Sequence, residues 1–169
     1  MKVVLYMATT IDGFVAKKNG DSDWVSPSDT PIFEEKIKEA GCIVMGRRTY
    51  EVSGSDFPYK GALNIVMTSN GNLKSNDPNV LFLNKHPKDV IEVVKKKGFQ
   101  TLLIIGGGNL NGSFLKEGLI DEIYIDIHPL VLGSGIKLFE KCEVDVKLKL
   151  LDIKPLKNDL ILLRYKVLK

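Results

Sequence analysis

Gly106, Gly107 and Gly108 stand in the segment TLLIIGGGNLNGSFL, between an apolar run and a helix-like one. A strand-to-helix junction leaves backbone N–H groups free, glycine lets an anion approach them closely, and the helix start adds partial positive charge. That is the chemistry of a diphosphate cradle. The same triplet would also serve tight strand-to-helix packing, and Asn109 fits either a helix cap or a phosphate contact. A second candidate is CIVMGRRTY, where an apolar run opens through Gly46 into Arg47, Arg48 and Thr49. The arginine fork suits phosphate, and a neighbouring hydroxyl adds a donor. Read alone, the pair is equally a set of exposed salt-bridge donors.

Three aspartates are candidates for the reacting end. Asp29, in DWVSPSDTPIF with Trp24 and Phe33, precedes Thr30 and Pro31. In an apolar cleft its carboxylate could hold an amino-pyrimidine or amino-pteridine through two parallel hydrogen bonds and favour protonation beside a hydride acceptor. Its position before a proline fits a helix N-cap equally well, and Trp24 and Phe33 fit an ordinary core. Asp12 is either part of an Asp-Gly turn or a ligand contact. Asp126 either faces a cleft or is solvated at a strand edge.

Other chemistries find little support. Cys42 and Cys142 are far apart and lack zinc-type partners, and His86 and His128 each precede a proline outside any metal-spaced cluster. No metal is expected, and neither histidine is given a role. The net charge of +3 is spread along the chain without a basic cluster, which argues against nucleic-acid binding. The N-terminal apolar run turns polar after Met7, too soon for a signal peptide or a membrane span. A cytoplasmic protein with no membrane partner is expected.

The elements that must position these residues follow from periodicity. Apolar runs at 3–7, 42–45, 63–67, 80–83, 101–105 and 122–127 predict strands, and 31–40, 87–97 and 110–116 predict helices. Their alternation predicts an α/β fold with a mainly parallel sheet covered on both faces. The runs 147–154 and 159–168, joined across Pro155 to Asn158, predict an antiparallel hairpin at the sheet edge. At 169 residues, a single domain is expected. Residues 9–30 and 53–62 are polar, Gly/Asp/Ser-rich stretches, candidates for site-forming loops. The glycine turn is not a Rossmann fingerprint, because position 111 is Asn111 and the next glycine is Gly112.

Taken together and in order, MATTIDGFVA, CIVMGRRTY, GGGNL and HPLVLGSGIKLF resemble the dihydrofolate reductase superfamily. The closer similarity is to the reductase domain at the C-terminus of the riboflavin-biosynthesis deaminase/reductase and its stand-alone relatives. That resemblance spans nearly the whole chain. It implies a mixed sheet, NADPH bound across the sheet's C-terminal edge, and a homodimer. It implies that Gly46, Arg47 and Thr49 contact phosphate and that Gly106, Gly107, Gly108, Asn109 and Leu110 hold the pyrophosphate. It also implies that Thr68 and Ser69 lie at the adenosine phosphate, and, because DWVSPSDTPIF is similar to the helix-entry segment that carries the active-site carboxylate, it favours Asp29 as the catalytic carboxylate, with Trp24 and Phe33 towards the substrate; Asp12 and Asp126 are candidate substrate contacts from their own positions. The chain departs from riboflavin-pathway reductases after the arginine motif, where GRRTYEVSGSDFPYKG replaces an Asp-Asn-Pro segment and its basic phosphate grip.

Three functions are therefore carried forward. The first is NADPH-dependent hydride transfer to a pteridine- or pyrimidine-type heterocycle. The second is 5-amino-6-(5-phosphoribosylamino)uracil reduction in riboflavin biosynthesis. The third is a nucleotide-binding module without catalysis, motivated by the lack of an unambiguous acid or base.

Overall fold

The computed structural model describes all 169 residues. Nine-residue β1 (Lys2–Thr10) runs through the middle of an eight-stranded sheet. Its neighbours are β6 (Thr101–Ile104) on one side and β7 (Glu122–His128) on the other, both parallel to it. Beyond β6 lie β3 (Cys42–Gly46), β4 (Leu63–Met67) and β5 (Val80–Leu83), also parallel. Beyond β7 the direction reverses into the hairpin β10 (Ile161–Val167) and β9 (Leu148–Pro155). The predicted mixed sheet with a terminal hairpin is what the chain forms.

The central strands read as continuous apolar runs because both of their faces are covered. Alternate residues go to opposite sides. Val3 and Leu5, with Leu102 and Ile104, pack beneath α3 (Pro87–Lys96) and α4 (Gly108–Lys116). Val4 and Tyr6, with Leu103 and Ile105, pack beneath α1 (Thr30–Ala40). Pro31 and Pro87 sit in the first turns of α1 and α3, where a missing N–H costs nothing, and Gly41 closes α1 at φ +65°. No helix is long and apolar enough to cross a membrane.

Four elements are not in the sequence-based prediction. Residues 47–53, expected only as a turn, form the short helix α2 (Arg47–Ser53), followed by one 3-10 turn at Gly54–Asp56. Within the stretch expected to be irregular, β2 (Phe14–Ala16) pairs antiparallel with β8 (Ile136–Lys137). This two-stranded ribbon carries too few residues to show a period of two. It draws residues 136–140 across the start of α4, where the Glu140 N–H donates to the Gly108 carbonyl at 3.0 Å.

Candidate active site

At the C-terminal ends of β3 and β6 two turns meet. The Gly46 N–H donates to the Gly106 carbonyl at 2.8 Å, so the start of α2 is fastened to the glycine turn. Gly106 has φ +101°, a conformation that favours glycine, and a Cβ on Gly107 would press on the Thr49 hydroxyl at 3.3 Å. Glycine is thus demanded at this junction, by the backbone conformation of Gly106 and by the closeness of the Met7 and Thr49 side chains. Gly108 is different. A Cβ there would overlap the Lys137 carbonyl, so this glycine is required by the segment packed over α4. Gly107 occupies the N-cap of α4, which removes the capping role for Asn109 and leaves its side chain exposed at the cavity wall.

From this cradle a cavity of about 610 Å³ extends beneath the 16–25 loop towards the start of α1. Gly46, Arg47, Arg48, Thr49, Gly107, Gly108, Asn109 and Leu110 line one end, while Tyr6, Asp29, Phe33 and Tyr59 line the other. Arg47 and Arg48 are its only cationic lining residues. Both are exposed; Arg47 lies 3.6 Å from Glu51, and the Arg48 stem packs over Gly20. The predicted glycine and arginine motifs and Asp29 therefore share one cavity.

Asp29 holds the N-cap position of α1 without making a side-chain cap bond. Its carboxyl instead accepts a hydrogen bond from the Tyr6 hydroxyl, and the residue is only 6% exposed. Burial pushes the Asp29 carboxyl above the ordinary carboxylate range, although the Tyr6 hydrogen bond works in the opposite direction. The same burial, reinforced by the neighbouring Asp29 charge, pushes the Tyr6 hydroxyl up, so it stays protonated as a donor. Phe33 packs on Tyr6 at a centroid distance of 5.6 Å and edge-on to Tyr59 at 5.7 Å, giving this end an apolar wall.

Behind Asp29 lies Asp126, fully buried and with neither carboxyl oxygen hydrogen-bonded. Desolvation, followed by the adjacent Asp29, pushes its carboxyl up to about 7. Next on the same face of β7 is His128. Its Nε2 accepts the Ser26 N–H at 2.9 Å, which leaves Nδ1 to carry the proton of the neutral ring. Nδ1 lies 3.3 Å from the Asp126 carbonyl and 3.8 Å from its carboxyl. Trp24 meets the His128 ring edge-on at 5.2 Å, outside the cavity wall.

Several predicted residues stand elsewhere. Asp12 is exposed and pins the β1–β2 turn, accepting the Thr10 hydroxyl at 2.6 Å and the Gly133 N–H at 2.7 Å. These donors hold its carboxyl below the usual range. Thr68 and Ser69 follow β4 outside the cavity wall, where only Met67 reaches it, and the Thr68 hydroxyl accepts the Asn70 N–H. Gly106 supports the cradle from behind. Conversely, Tyr6, Tyr59 and His128 join the site without having been singled out for it. Tyr6 was legible as the residue facing the same side as Val4, and His128 as the third member of the alternation Tyr124, Asp126, His128.

The chain matches the model of the RibD C-terminal domain over residues 1–162. It is 33% identical over 155 residues to the uncharacterized protein YwjB of Bacillus subtilis (strain 168), covering 88% of each chain. Its fold is shared with the deaminase/5-amino-6-(5-phosphoribosylamino)uracil reductase of Thermotoga maritima, at TM-score 0.80, 18% identity, 99% of this chain and 56% of that one. It is shared too with dihydrofolate reductase from Enterococcus faecalis complexed with NADP(H), at TM-score 0.73, 19% identity, 99% of this chain and 97% of that one. A parallel sheet with an edge hairpin, a glycine turn fastened to an arginine turn and a match along nearly its whole length place this chain in the RibD C-terminal domain family.

Proposed function

We propose that the protein is a cytoplasmic, NADPH-dependent reductase acting on a pteridine- or pyrimidine-type heterocycle. The observation that carries this reading is the single cavity joining a glycine-rich, arginine-flanked anion cradle to a buried carboxyl. The residues present fit such a dinucleotide. The free N–H groups at the cradle and the start of α4 suit a diphosphate, and Arg47 and Arg48 suit an additional phosphate. When bound, the reduced nicotinamide supplies a hydride. The chain's own contribution is to orient the heterocycle against Phe33 and Tyr59, to exclude water, and to hold a proton at Asp29 through Tyr6. The relatives named as reductases support the reaction class.

The riboflavin-pathway alternative needs a grip for the acceptor's phosphate. Both cationic residues of the cavity lie at the cradle, and none lines the Asp29 end. This distribution favours an acceptor without a phosphate there. The protein further acts as a homodimer, a reading supported by β9, whose every residue is exposed along an unpaired sheet edge.

Nucleotide titration tests the cofactor assignment. NADPH should bind at least about tenfold more tightly than NADH, a difference of about 1.4 kcal/mol, and Arg47→Ala should reduce that preference. Equal affinity of the unaltered protein for both would refute it. Oxidation of NADPH by a panel of dihydropteridines and aminopyrimidines, with and without a phosphoribosyl group, then separates the two substrates. Binding without any turnover would favour the non-catalytic module.

A further inference from the structure

Ser26 does not line the cavity, yet it holds the turn that does. The Asp29 N–H donates to the Ser26 carbonyl at 3.1 Å and the Ser28 N–H to the Ser26 hydroxyl at 3.2 Å, so the turn leading into α1 closes on Ser26. Val25 before it and Asp29 after it both reach the cavity wall. Two distant side chains hold residues 24–28 by hydrogen bonds. Asn158 donates to the Ser26 and Ser28 hydroxyls at 3.3 and 2.7 Å from an exposed turn. His128, the last residue of β7 and only 3% exposed, accepts the Ser26 N–H on Nε2 at 2.9 Å, and no backbone carbonyl takes that donor instead. A buried amide that loses its acceptor is costly, so this bond governs where the turn can settle. The ring is oriented for it. Its Nδ1 faces only acceptors, the Asp126 carbonyl at 3.3 Å and carboxyl at 3.8 Å, and Trp24 covers its edge.

We propose that His128 is a positioning residue for the acidic end of the cavity: by accepting the Ser26 N–H it fixes the turn that sets Asp29 against Tyr6. The ring touches neither the cavity nor the Asp29 hydrogen bond, and acts through two backbone groups of one residue. It links the central sheet, through β7, to the segment that roofs the cavity. What this placement serves rests on the reductase reading above, in which the proton at Asp29 must meet the heterocycle at a fixed point.

Nuclear magnetic resonance of the full chain, labelled with nitrogen-15 and free of nicotinamide and substrate, tests this. In the unaltered protein the Ser26 amide nitrogen and His128 Nε2 should show scalar coupling across their hydrogen bond. His128→Phe keeps a ring edge for Trp24 but offers no acceptor. In it the Ser26 and Asp29 amides should exchange with solvent at least about tenfold faster, and the Tyr6 hydroxyl proton should shift, while the Leu5 amide in β1 stays within about threefold. His128→Gln, whose Oε1 can accept the same N–H, should bring Ser26 and Asp29 back to within about threefold of the unaltered protein. Absence of the coupling, or an Asp29 amide and Tyr6 proton indifferent to His128→Phe, would overturn the proposal. A glutamine variant no better than phenylalanine would overturn it too, leaving the ring a packing role alone. Should His128→Phe not fold, the coupling and His128→Gln decide by themselves. Because no cofactor is present, failure to bind NADPH would sink the reductase reading while leaving this placement standing.

Discussion

At Asp126, packing and ionisation pull against each other, and the conflict has a measurable sign. Its carboxyl is raised to about 7 in the folded chain, so between the ordinary aspartate range and neutrality the folded state holds a proton that the unfolded state has lost. The stabilisation due to that proton is complete in acid and disappears as pH rises through the folded value. Asp126→Asn cannot ionise. It should therefore be more stable than the unaltered protein at about pH 8, by about 1–3 kcal/mol, and close to it at about pH 4. Urea unfolding at the two pH values checks this; a variant less stable at both would point to a purely packing role. Its neighbour Asp29 shows what sequence could and could not tell. An aspartate before Thr-Pro fits a cap and an acid alike, and only the Tyr6 hydroxyl, distant in sequence, separates them. His128 could be placed by strand alternation on the face of Asp126, but its partners, a backbone N–H and a strand neighbour, form no spaced motif that would have marked it.

At the scale of elements, the strands and long helices were readable because buried parallel strands are written as apolar runs and α3 as a strong apolar stripe. The β2–β8 ribbon was not, since five residues cannot display a period. Its mark on the sequence is instead the spacing of glycines on α4. A Cβ at Gly112 would overlap the Glu140 carbonyl and come within 3.1 Å of the Cys142 Cβ. Gly112→Ala should cost about 1–3 kcal/mol by forcing the 136–142 segment away from the helix. Gly71, with open space around its Cβ position, is the control, and Gly71→Ala should stay within about 0.5 kcal/mol of the unaltered protein. Thermal unfolding of both compares them. The hairpin also reaches back to the site, because Asn158 in its turn donates to the Ser28 hydroxyl at 2.7 Å, immediately before Asp29.

For the whole molecule, the question is what covers the last strand. Along β9, Leu148, Leu150, Leu151 and Ile153 are all exposed, and Ile161 on β10 adds to the patch. An edge strand of eight residues with this much apolar surface invites pairing. Sedimentation should show a dimer, and the double substitution Leu150→Lys with Ile153→Lys should convert it to a monomer with an unchanged circular dichroism spectrum. A monomeric unaltered chain would remove the dimer from the functional reading. This surface was visible in the sequence only as a hairpin, because periodicity names the strands and not the partner of the outermost one.

The hydrogen bond from Gly46 to Gly106 ties the end of β3 to the end of β6, strands from distant parts of the chain. In spectroscopic terms it makes one amide proton a sentinel for the cradle. A molecule seated across both turns should shift the Gly46 amide resonance and slow its exchange with solvent, whereas one confined to the Asp29 end should leave it unmoved. The same signal would thus sort unknown ligands by which end of the cavity they occupy, before any reaction has been identified.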